Sequence, residues 1–130
     1  MVRVEIPVRA IGKQRPRFAN GRVYTPAATQ AFENFVRTYY MHYGKRTFRG
    51  PVRMVLECRF RPPASASKKR RQELIGTPYT HKPDADNCLK AVQDALNGIA
   101  YDDDAQICEA SVSKRYADKD SICIYMEVAK

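Results

Sequence analysis

Val2, Val4, Ile6 and Val8 alternate with Arg3 and Glu5, which predicts a short strand with one buried face. The same two-residue period returns in residues 52–60, VRMVLECRF. There Val52, Met54, Leu56, Cys58 and Phe60 share one side, and Arg53, Glu57 and Arg59 the other. Between these stretches the period lengthens. Ala28, Phe32, Phe35, Val36, Tyr39 and Tyr43 keep steps of three and four, a helix over 26–43. Thr25-Pro26 supplies its N-cap and first helical residue, and Gly44 its stop. Leu89, Val92, Leu96 and Ile99 mark a second helix that closes at Asn97-Gly98, and strands around 106–116 and 121–128 end the chain.

Turn chemistry fills the intervals. Asn20-Gly21 is a hairpin signal with RPRF and RVY as its arms. RPPASASKKRRQELIG reads as a loop followed by two helical turns, its KKRR run either facing phosphate or lying as a solvated turn. The predicted order is strand, hairpin, helix, strand, short helix, helix and two strands. That is one compact α+β domain over residues 1–130, a mixed β-sheet packed against two main helices.

Charge changes the picture. The formal net charge is +9, but residues 1–81 hold 17 Lys/Arg against 4 Asp/Glu, and residues 82–130 hold 6 against 10. A basic half suits a polyanionic partner, nucleic acid before anionic membrane. The best helix is not basic enough for a membrane surface, and no stretch has the ~18 apolar residues of a spanning helix. Cys58, Cys88, Cys108 and Cys123 show no C-x-x-C spacing, and the start at Met1 lacks a signal peptide's apolar run. A reduced, intracellular setting is expected.

Within this basic chain, KPDADNCLKAVQDALNGIAYDDDAQI (82–107) gathers 6 of the 14 acidic residues. An extended backbone through 84–86 points Asp84 and Asp86 to one side, and Asp86 also stands where the second helix should begin, as its cap. Lys90 lies one turn further on, and helix side chains lean back toward the N-terminus. Beyond the helix comes the run Asp102-Asp103-Asp104. Hard divalent cations take oxygen ligands, so carboxylates from these two segments are expected to converge on Mg²⁺, with Mn²⁺ as a substitute. Such an ion reverses the local sign, polarises a phosphoryl oxygen and activates water. The plainer readings are an N-cap, an i,i+4 surface pair of Lys90 with Asp94, and a solvated turn.

The combination of Asp84, Asp86, Asn87, Lys90, Asp94-Ala95-Leu96 and Asp103-Asp104-Ala105-Gln106 resembles the pattern of the RusA-type Holliday-junction resolvases, many of them encoded by prophages. The upstream GKQRPRF and RVYTP are similar to the N-terminal pattern of the phage-type members. The resemblance implies a Mg²⁺-dependent homodimeric endonuclease of DNA recombination and repair. It would nick opposing strands of a four-way junction symmetrically, in the cytoplasm of a bacterium or phage-infected cell. It also implies Asp84, Asp86 and Asp104 as catalytic and metal-binding carboxylates, with Asp103 next in line, and Lys90 as their catalytic companion.

For DNA contact the first candidates are Lys13, Arg15, Arg17 and Arg22, which flank a turn near Phe18 and Tyr24. His81 and Lys82 come second. The competing reading is a non-catalytic basic nucleic-acid-binding module, whose affinity would fall steeply with salt.

Overall fold

The computed structural model describes residues 1–13 and 17–130. The chain runs β1 (Val2–Ile6), β2 (Arg17–Ala19), β3 (Arg22–Tyr24), α1 (Ala27–Tyr43), β4 (Val52–Phe60), α2 (Lys68–Leu74), α3 (Ala85–Leu96), a 3-10 turn (Asp104–Gln106), β5 (Ile107–Tyr116) and β6 (Ser121–Val128). This is the predicted order, and the fold is α+β. β1, β6, β4 and β5 lie side by side in that sequence, with β4 and β5 parallel and the other pairs antiparallel. β2 and β3 form a separate hairpin around Asn20-Gly21, both with positive φ.

Strand alternation decides which sheet face is buried. Val4 and Ile6, the alternate positions Val52, Met54, Leu56, Cys58 and Phe60, and Ile122, Ile124 and Met126 lose nearly all exposure. Phe32, Val36 and Tyr40 of α1 and Cys88, Ala91, Val92, Ala95 and Leu96 of α3 close over them. Each fully buried Leu, Ile or Met contributes about 1.5–3 kcal/mol relative to an exposed position. The opposite face carries charge. Arg59 reaches Glu5 at 2.7 Å and Glu57 at 2.8 Å, and Arg53 meets Glu127 at 3.2 Å.

Two boundary expectations need physical correction. Helix α1 begins at Ala27 with Pro26 as its N-cap and no side-chain capping bond, in place of Thr25 as cap and Pro26 as first helical residue. Its end at Gly44 is not a left-handed stop. Gly44 ends α1 with φ −82°, so no left-handed residue is required there. It is glycine for space: a Cβ would sit 2.6 Å from the Tyr40 ring, which is buried and bonded through its hydroxyl to the Arg46 carbonyl at 2.6 Å. Gly98 does adopt φ +81° after α3. The four cysteines are free. Cys58, Cys88 and Cys123 are buried, and a hydrogen bond with Cys88 together with burial holds the Cys58 thiol protonated. Among the described residues no helix is long and apolar enough to cross a membrane.

An irregular strap covers the outer edge of the sheet. Residues 76–79 lie along β5, with Gly76 N–H donating to the Tyr116 carbonyl (2.9 Å), Tyr116 N–H to Thr77 (2.9 Å) and Tyr79 N–H to Lys114 (3.0 Å). This strap delivers residues 81–84 to the start of α3.

Candidate active site

The strap is pinned from below. Lys114 Nζ donates to the carbonyls of His81 (2.8 Å) and Pro83 (2.7 Å), fixing the backbone on either side of Lys82. Helix α3 then starts at Ala85, with the Cys88 N–H already bonded to the Asp84 carbonyl at 3.0 Å. Asp84 is therefore the N-cap residue and Asp86 lies in the first turn, a correction to the expectation that 84–86 is extended with Asp86 as cap. The Asp84 carboxylate makes no capping bond. It accepts from Lys82 Nζ at 2.8 Å, and that hydrogen bond lowers its pKa. Asp86 is exposed at the positive end of the helix dipole.

The three consecutive aspartates divide their tasks. Asp102 pairs with the Arg49 guanidinium at the surface. Asp103 is consumed by a capping box: its carboxylate accepts from Ala105 N–H at 2.9 Å, which depresses its pKa, and Gln106 Oε1 accepts from Asp103 N–H at 3.0 Å. Gln106 also ties the turn to the Phe48 and Gly50 carbonyls ahead of β4 (3.1 and 2.9 Å). Asp104, its N–H held by Asn97 Oδ1 at 3.0 Å, places its carboxylate 3.5 Å from Lys90 Nζ.

Lys90 belongs to a longer alternation of charge. Asp94 Oδ1 lies 3.1 Å from Lys90 Nζ, and Asp94 Oδ2 lies 3.1 Å from Lys13 Nζ, which also meets Glu33 at 2.9 Å. The chain Glu33–Lys13–Asp94–Lys90–Asp104 thus links α1, the segment after β1, α3 and the 3-10 turn. Asp94 raises the Lys90 pKa, chiefly by hydrogen bonding. For Lys13, burial alone would lower the pKa, but its two carboxylate partners outweigh it and the net shift is upward. Gly12 permits the approach: a Cβ there would stand 3.2 Å from Pro83 Cβ, while Lys13 N–H donates to the Asn87 carbonyl at 3.2 Å.

The expected convergence of three ligands is not what the geometry displays. Among the described residues, no group of three or more His, Cys, Asp or Glu stands close enough to hold a metal ion. Asp84 and Asp104 each face a lysine instead, and Asp86 faces solvent.

Comparison with known families settles the kinship. Residues 7–127 match the family described as endodeoxyribonuclease RusA. The chain belongs to the RusA family. A curated relative, the uncharacterized protein YqaN of Bacillus subtilis (strain 168), is 36% identical over 118 residues, covering 85% of this chain and 82% of its own.

Membership in a RusA nuclease family gives the basic candidates a context, and the fold sorts them. Lys13 is occupied by Glu33 and Asp94 and is only 26% exposed, so it braces the site. Arg17 and Arg22 stand on the β2–β3 hairpin, where Phe18 and Val23 are 73% and 70% exposed. Arg15 lies outside the described residues. Lys82 is exposed and reaches across to Asp84. Sequence reasoning missed Glu33 and the bridging role of Asp94. The i,i+4 spacing of Lys90 and Asp94 was the available signal, but spacing alone does not distinguish a surface pair from a brace between two ammonium groups.

Proposed function

We propose that the chain is a divalent-metal-dependent endonuclease that acts as a homodimer and resolves four-way DNA junctions by paired symmetrical nicks. RusA family nucleases act on branched DNA and generally depend on a divalent metal. The observation that carries the reading here is the Lys90 ammonium, held between Asp94 and Asp104, on the helix whose N-cap is Asp84 and whose first turn bears Asp86.

The donors fit Mg²⁺ in kind. Asp84, Asp86 and Asp104 offer only hard oxygens, and Mg²⁺ is usually held by one or two carboxylates with waters and phosphate rather than by an all-protein cage. Such a site therefore does not require the three-ligand group that is missing among the described residues. When bound, the ion supplies Lewis-acid polarisation of the phosphoryl oxygen and a nucleophile of lowered pKa. Asp84 and Asp86 would hold it, with Asp104 as the third carboxylate.

The chain's own residues do the rest. Lys82 exchanges the Asp84 carboxylate for a DNA phosphate, releasing that carboxylate as the polyanion arrives. Lys90 keeps Asp94 as its anchor and turns its positive charge toward the oxygen that gains charge as the phosphodiester is attacked. Asp103 stays in its capping box and fixes the turn that presents Asp104. Arg22 on the hairpin contacts a flanking phosphate. Two protomers are required because one site makes one nick, and a two-fold protein matches a junction with approximate two-fold symmetry.

The unclustered carboxylates favour one alternative, a basic DNA-binding module without catalysis. Incubating the protein with Mg²⁺ on a mobile four-way junction, a flap and a linear duplex separates the two. Paired incisions across the junction, suppressed by chelation, are expected. Tight junction binding with no product in any divalent metal would leave the binding module standing.

A further inference from the structure

A cleft of about 650 Å³ opens beside the strap, lined chiefly by Arg9, Arg61, Tyr79, His81, Tyr116 and Asp120. None of these has a role in the carboxylate site. The volume lies within the range of ligand-binding clefts.

Its floor is a prebuilt aromatic stack. Tyr79 lies on Phe60 with centroids 4.0 Å apart and rings 13° from parallel, and Tyr116 meets Tyr79 edge-on at 5.0 Å. His81 stands on the rim, exposed, with its ring 5.4 Å from Tyr79. The walls are cationic. Arg9 is fixed over Phe60, with hydrogen bonds to Asp120 (3.0 Å) and the Tyr79 hydroxyl (3.2 Å). Asp120 also accepts from the Arg61 backbone N–H at 2.9 Å, and among the described residues the exposed Arg61 guanidinium takes no partner. Two arginines against one aspartate leave the cleft positive.

Its position is tied to the chemistry. His81 precedes Asp84 by three residues, so their Cα atoms lie within about 10 Å. That distance spans about three nucleotide steps of a stacked strand. Lys114 clamps His81 and Pro83 on one side of this strap, and the Tyr79 hydroxyl donates to the Lys82 carbonyl at 3.3 Å. The cleft and Asp84 therefore form one rigid unit.

We propose that this cleft is a nucleotide subsite for the strand being cut: an unstacked base enters against His81 and the Tyr79–Tyr116 floor, with its phosphate on Arg61. The inference rests on the reading of the chain as a branched-DNA nuclease and adds a source for its selectivity. A base within a duplex is covered by its neighbours, whereas a branch point releases one at lower cost. Aromatic side chains bind any base face, and the cationic wall holds the backbone.

Photocrosslinking tests this without cleavage. Four-way junctions carrying a single 5-iodo-deoxyuridine at each of the three positions on either side of the cut strand's branch point are irradiated with the wild-type protein in EDTA. One position should crosslink to Tyr79, His81 or Tyr116, as read by mass spectrometry of the conjugate. His81→Ala and Arg61→Ala should lower the ratio of junction to duplex cleavage by about tenfold or more, and His81→Phe should restore it. Crosslinks mapping only outside the cleft would overturn the proposal, as would unchanged junction preference in both alanine variants. Failure of the wild type to cut any branched DNA would instead strike the nuclease reading, since the crosslink needs no cutting.

Discussion

Asp94→Asn removes the centre of the charge alternation while keeping the side chain's shape. Each Asp94–lysine contact spans 3.1 Å, a raw attraction of about 5 kcal/mol at an effective dielectric near 20. Most of that does not survive as net stability. Lys90 is 54% exposed and solvent screens it, and Asp94, 23% exposed, has lost part of its hydration. The amide also turns an N–H₂ toward one of two ammonium groups. A net loss of about 1–3 kcal/mol is expected, which moves a urea midpoint by about 1 M. Lys90 then keeps only Asp104, the more distant of its two carboxylates, at 3.5 Å. Single-turnover junction cleavage should fall more than about tenfold, with junction affinity little changed. The assay pairs urea denaturation with single-turnover cleavage well below the midpoint. A variant that is destabilised but cuts at the wild-type rate would refute Asp94 as the residue that positions Lys90; unchanged stability would refute the network itself.

Gly44→Ala should cost about 1–3 kcal/mol by overpacking against Tyr40, seen as a lowered Tm, because that buried ring is tethered to the Arg46 carbonyl and cannot step aside. Thr29 is fully buried in α1, and its hydroxyl lacks a partner among the described residues. Thr29→Val should therefore leave stability unchanged or raise it by about 1 kcal/mol, and a clear fall in Tm would show that the hydroxyl is satisfied. Burial pushes the Tyr40 hydroxyl up to about 12 from an ordinary 10.0, so the folded state keeps a proton that the unfolded state releases. Stability should accordingly decline as pH rises from 10 toward 12. Lys13, also raised above its ordinary value, adds to the decline above 10.5. Denaturation midpoints that stay flat across that interval in the wild type, or decline equally in Tyr40→Phe, would contradict the assignment.

Much of the fold was legible because its signals are local and periodic. The alternation in 52–60 answers to one buried sheet face. Of the α1 positions that keep three-and-four steps, Phe32 and Val36 are buried but Phe35 and Tyr43 are exposed, and Thr29 and Tyr40 complete the buried face. Where a long-range partner decides the outcome, the sequence was silent. Gly44 looks like a chain stop, but the ring of Tyr40 is what demands it. Asp86 looks like a cap, yet the strap held by Lys114 starts the helix a residue after Asp84. Within the run of three aspartates the resemblance put Asp104 ahead of Asp103, and the i+3 spacing of Asp103 to Gln106 was a local capping-box signal. The partners of Asp102 and Asp104, Arg49 and Lys90, come from distant segments. The cleft around Tyr79 left no motif, because its walls come from residues 9, 61, 79, 81, 116 and 120.

The central claim is that the carboxylates at the start of α3 cut DNA rather than merely shape a helix end. Asp86→Asn isolates it, because Asp86 is exposed and makes no hydrogen bond or ion pair among the described residues, so the change leaves the fold's contacts in place. Mg²⁺-dependent single-turnover cleavage of a four-way junction, measured beside a gel-shift titration of the same junction, should show cutting abolished and binding retained. Cutting at the wild-type rate would contradict the account.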